Sequence, residues 1–65
     1  MSAATVTAAA LGRAAHAAGR VRFPGADAEL MRVEAEQPTS AAKCAVMAAW
    51  LRAYDACVVA DLMTC

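Results

Sequence analysis

Nucleophilic catalysis needs a thiol or hydroxyl, a base and an orienting group within hydrogen-bond reach of one another. This chain has one imidazole, His16, and three thiols, Cys44, Cys57 and Cys65. A Cys57 and His16 couple is geometrically conceivable, but no local signature surrounds either residue, and a solvent-facing histidine on a helix is the simpler reading. Zinc sites pair their ligands a few residues apart, and neither the CxxC nor the HxxxH spacing occurs, so no metal is expected. Gly12, Gly19 and Gly25 lack the lysine and the flanking spacing of a phosphate-binding loop. Glu34 and Glu36 are paired carboxylates, yet so small a chain offers no walled pocket to raise their pKa. No catalytic residue, enzyme activity or cofactor is expected, which leaves recognition.

Three groups of residues suit contact with a partner. Asp27, Glu29, Glu34 and Glu36 crowd around Arg32 and could meet a basic surface, including one that normally holds nucleic acid; the plainer alternative is ordinary solubility. Arg13, Arg20 and Arg22, with His16, make a possible basic patch, but no aromatic residues interleave them, and pairing with nearby glutamates explains them as well. Trp50 and Tyr54 stand one helical turn apart and belong to types favoured as interface anchors, although the one tryptophan of a small domain is more often core.

Six basic and six acidic side chains cancel, which removes any overall electrostatic drive towards nucleic acid or anionic membrane. The expected partner is therefore a protein, with the chain itself a monomer or a weak homodimer.

Secondary structure must place these groups. Residues 2–18 are alanine-rich and interrupted by Gly12, which weakens a helix without forbidding it. On a wheel Ser2, Thr5, Arg13 and His16 share one side, leaving Leu11, Ala14 and Ala18 on the other, and Gly19 is placed to end the helix in a left-handed cap.

The middle section alternates Met31, Arg32, Val33, Glu34, Ala35, Glu36, matched upstream by Arg20, Val21, Arg22, Phe23, the period of a half-buried strand. One antiparallel register sets Arg20 opposite Glu36, Val21 opposite Ala35, Arg22 opposite Glu34 and Phe23 opposite Val33, each pair contributing about 0.2 to 1 kcal/mol. A β-hairpin is the expectation, turning at Pro24 and Gly25. A helix over residues 27–36 is the alternative, since Glu29, Arg32 and Glu36 would pair along it. Gln37 precedes Pro38 and is biased to extended backbone.

Thr39 or Ser40 can cap a long last helix from Ala41 to about Met63. Its wheel has an aromatic stripe around Met47, Trp50 and Tyr54, a second of Cys44, Leu51, Val58 and Leu62 with Asp55, and a third of Ala45, Ala49, Ala56 and Ala60 beside Arg52. The first helix is expected against the small stripe, the hairpin against the leucine and valine stripe, and the aromatic stripe partly exposed.

The fold expected is thus α+β, helix, hairpin and long helix in the order αββα, as one domain over residues 1–65; an all-α three-helix domain is the alternative. A chain this short buries about 60% of its unfolded surface, so stability is thin. Of its residues 62% are hydrophobic, but many are alanine, so close backbone approach must replace bulky burial. Along one helix Cys44 and Cys57 lie roughly 20 Å apart and Cys57 and Cys65 roughly 12 Å, too far for a disulfide. Free thiols serving as small buried hydrophobes, together with the lack of a basic region before Ala3 to Leu11, point to the cytoplasm. Ala41 to Met63 is apolar enough to suggest a membrane span, yet Arg52 and Asp55 near its middle would cost about 2.5 to 3.5 kcal/mol each.

In size, alanine-rich character and the acidic group Asp27, Glu29, Glu34 and Glu36, the whole chain resembles the small phage-encoded anti-CRISPR proteins. That resemblance implies a stoichiometric inhibitor that docks on a subunit of a CRISPR-Cas complex and blocks its DNA recognition. The alternative is a self-associating structural or adaptor module in which the aromatic and apolar stripes of the last helix pair two copies.

Overall fold

The computed structural model describes residues 2–64. Three helices, α1 (Ala3–Ala17), α2 (Ala28–Ala35) and α3 (Ser40–Thr64), are joined by a loop containing one 3₁₀ turn (Pro24–Ala26) and by a short connection through Pro38. No strand occurs among the described residues, so the αββα expectation is wrong and the three-helix alternative is the fold.

Gly19 ends α1 as the sequence signals, whereas Ser2, expected within the helix, stands just before it as its cap. Ser2 is extended and its Oγ accepts from the Thr5 N–H at 3.2 Å. At the other end Gly19 takes φ +73°, its N–H reaches the His16 carbonyl and the Arg20 N–H reaches Ala15, the Schellman arrangement that needs a left-handed residue.

Asp27 decides the middle section. Its Oδ1 accepts the N–H groups of Glu29 and Leu30 at 3.1 and 3.2 Å, so it caps α2 and satisfies two donors that a helix start leaves open. An isolated two-stranded hairpin is marginal in water. A capped helix satisfies its own backbone and still delivers Leu30 to the core, with Met31 and Val33 packed beside it. Arg20 to Phe23 form an irregular loop, and Val21 and Phe23, expected inside a hairpin, are 69% and 62% exposed.

Thr39 caps α3, its Oγ1 accepting the Ala42 N–H at 3.0 Å. Just before it, the Gln37 side chain donates to the Val33 carbonyl at 2.9 Å and so ties the end of α2 to the connection.

The chain runs up, down and up. Thr5 shares a groove with Ala45 and Ala49, Gly12 meets Trp50 and Ala53, and His16 reaches Asp61, so α1 is parallel to α3. Asp27 meets Trp50 while Glu34 lies beside Lys43 and Met47, so α2 is antiparallel to it. Helix α1 turns Ala8, Gly12 and Ala15 inward, while Ala14 and Ala18, expected on the apolar side, are exposed and Leu11 is half-buried. The reason is proximity. A Cβ at Gly12 would run into the Trp50 carbonyl oxygen, so only the smallest stripe of α1 permits this approach.

Trp50, Leu30 and Val46 are fully buried and Tyr54 is 9% exposed, which corrects the expectation of a partly exposed aromatic stripe. Trp50 and Tyr54 bring the largest side chains to the space where three helices meet, with Leu30, Val46 and alanines filling in around them. The small stripe is buried on the α1 side at Ala49, but Ala45, Ala56 and Ala60 are exposed. No helix among the described residues is long and apolar enough to cross a membrane.

Candidate functional site

A line of contacts runs from the buried cap of α2 through two stacked rings to the exposed Asp61 near the end of α3. Asp27, 5% exposed, accepts at Oδ2 from the Trp50 indole N–H at 2.9 Å. Trp50 stacks on Tyr54, ring centroids 5.2 Å apart and planes 14° from parallel. The Tyr54 hydroxyl donates to the Arg20 carbonyl and so holds the loop after α1. His16 meets Tyr54 edge to face at 5.4 Å and lies 3.0 Å through Nε2 from Asp61. The shared ring plane and edge contact follow from Trp50 and Tyr54 standing one turn apart, with the last turn of α1 across from them.

Asp27, Tyr54 and His16 are each bonded to another part of the fold, whereas the Cys44 and Cys57 thiols are free. No buried side-chain nitrogen or oxygen among the described residues lacks a hydrogen bond. His16 is engaged by Asp61 rather than by Cys57, and no cluster of three His, Cys, Asp or Glu residues able to hold a metal occurs among the described residues. Cys57 is half-buried and Cys44 exposed, so Cys44 is not the buried hydrophobe expected of it; Cys65 lies outside the described residues.

The acidic group does not survive as one patch. Asp27 is inside, and Glu34 is half-buried. A strand would have put Glu34 and Glu36 on one face, but at 100° per residue they diverge by about 160°. Glu29 and Glu36 share the exposed side of α2 with Arg32. Trp50 and Tyr54 are core and offer no interface anchor.

The basic group is divided as well. Arg13 lines an open groove of about 470 Å³ between α1 and α3, together with Arg52. Arg20 is exposed, and its carbonyl holds Tyr54. Arg22 forms a two-pronged ion pair with Asp55 at 2.6 and 2.8 Å. The hydrogen bond to Arg22 holds the Asp55 carboxyl below its ordinary range, and the same bond raises the Arg22 guanidinium.

Two features escaped the sequence. Arg52 is exposed and has no ion-pair partner among the described residues, and Val59, Leu62 and Met63 are 54%, 73% and 82% exposed beyond the reach of α2. No family model, curated protein or solved structure matches the chain.

Proposed function

We propose that this chain is a non-catalytic binding protein, acting as a stoichiometric inhibitor that occupies a surface of a larger macromolecular complex. The observation that supports it is the use of the reactive side chains as framework: Asp27, His16 and Tyr54 are all bonded to other parts of the fold. The contact surface of this reading is the outer side of α2, where Glu29 and Glu36 project seven residues apart around Arg32. Carboxylates at that spacing suit a basic protein surface of the kind that otherwise grips nucleic acid. The resemblance to anti-CRISPR proteins makes a CRISPR-Cas complex the first partner to try.

The test is a DNA-binding competition. Added in equimolar amount, the chain is expected to abolish target binding by a purified CRISPR-Cas complex, and the E29K/E36K variant to leave it intact. Target binding unaffected by the wild-type chain counts against this partner, and equal inhibition by the variant counts against α2 as the surface.

A further inference from the structure

The outer side of α3 carries a pattern that neither the core nor the α2 contact uses. Ala45, Ala48, Arg52, Asp55, Val59 and Leu62 recur at alternating steps of three and four residues, the repeat with which one helix packs along another. They fall within an arc of about 100°, opposite Val46 and Trp50 in the core. Ala45, Arg52, Val59 and Leu62 are exposed, and Ala48 and Asp55 are half-buried.

We propose that two copies of this chain pair along this seam, their α3 helices antiparallel about a two-fold axis crossing between Ala53 and Tyr54. Residues equidistant from the axis then face each other. Arg52 meets the partner's Asp55, Ala48 meets the partner's Val59, and Ala45 meets the partner's Leu62, each contact occurring twice. The charges are opposite and the sizes complementary, large against small, so the helices approach closely without leaving a gap. Leu51, half-buried, comes to the partner's Val58 at the edge of the seam.

Other registers fail on the same residues. Parallel pairing sets Arg52 on Arg52 and Asp55 on Asp55. Sliding the antiparallel pair by one heptad sets both charges on alanine in one direction, and on valine and leucine in the other. Arg52 has no carboxylate within ion-pair distance among the described residues and shares its groove with Arg13, so the partner's Asp55 brings the missing negative charge. Asp55 keeps lone pairs free after binding Arg22, so it can accept a second guanidinium. The pairing is separate from the α2 contact and leaves Glu29 and Glu36 unused.

Sedimentation equilibrium of the full chain under reducing conditions, from micromolar to millimolar concentration, tests this. The wild-type chain is expected to reach twice its 6.7 kDa mass. R52D and D55R each set like charges across the axis twice and should weaken association by about tenfold or more. Mixing the R52D and D55R chains makes both cross-axis pairs complementary again and should restore a dimer. A48E, which disturbs no ion pair within the chain, should also weaken association while circular dichroism shows the helices retained. A wild-type chain that stays monomeric throughout overturns the pairing, as do a dimer indifferent to A48E and folded charge variants that fail to recover on mixing.

Discussion

The indole N–H of Trp50 donates to Asp27 at 2.9 Å, across 23 positions of sequence, while the other oxygen of the same carboxylate caps α2. One side chain therefore starts a helix and fastens it to the core. Asp27→Ala would remove the cap and leave the buried indole donor unpaired, at a combined cost of about 2 to 4 kcal/mol. A core of this size supplies only about 3 to 5 kcal/mol, so urea denaturation of the variant should begin close to zero denaturant. Asp27→Asn can keep the cap, but its amide cannot accept from the indole without giving the cap up. It should fall between the wild type and the alanine variant.

Gly12 and Gly19 respond oppositely to what helix propensity alone suggests. Gly12→Ala gains about 1 kcal/mol in propensity, but the new methyl collides with the Trp50 carbonyl and forces α1 off α3. A net loss of about 1 to 3 kcal/mol is expected, read as a lower melting temperature. Gly19→Ala meets no atom within 4 Å and loses about 1 to 2 kcal/mol through its left-handed backbone alone. The two are distinguishable by tryptophan emission, which should move only in the Gly12 variant, because only a methyl added there meets Trp50.

The Arg22 and Asp55 pair is exposed, so it should be weak and sensitive to salt. Its pH dependence has a definite sign. The folded-state pKa of Asp55 is depressed, so its contribution is present above the ordinary value of 3.8 and is lost as the pH falls through the lower folded value. Denaturation of the wild type and of Asp55→Asn should therefore differ slightly at neutral pH, and the gap should close in acid and in high salt. A gap that widened on acidification would contradict the ion pair.

The thiols should differ in reactivity. Cys44 is exposed on α3 and Cys57 is half-buried, so an alkylating reagent followed by peptide mapping should modify Cys44 several-fold faster. Equal rates would require the end of α3 to separate from its neighbours in solution.

Local signals in the sequence were enough for the end of α1 and the start of α3. Gly19 and Thr39 mark their termini because caps and left-handed turns are governed by contacts three to five residues away. The middle section was not legible in that way. Alternation from Met31 to Glu36 is shared by a strand and by a short helix, and the cross-strand charge pairing that favoured the strand is satisfied in the fold by Arg22 reaching Asp55 instead of Glu34. Asp27 was read as one acid among four; its cap rests on Glu29 and Leu30 beside it, but its burial depends on a tryptophan brought from α3.

Composition by itself determined that the elements must pack closely through alanine and glycine, because large apolar side chains are few. Tertiary structure alone decided which stripe of each helix faces inward. Trp50 and Tyr54 carry enough volume to close the space between three helices, and once they turn inward the opposite side of α3, with Arg52, Val59 and Leu62, is left to solvent. That choice rests on how volumes fit together at a junction, which the period of a single helix does not encode.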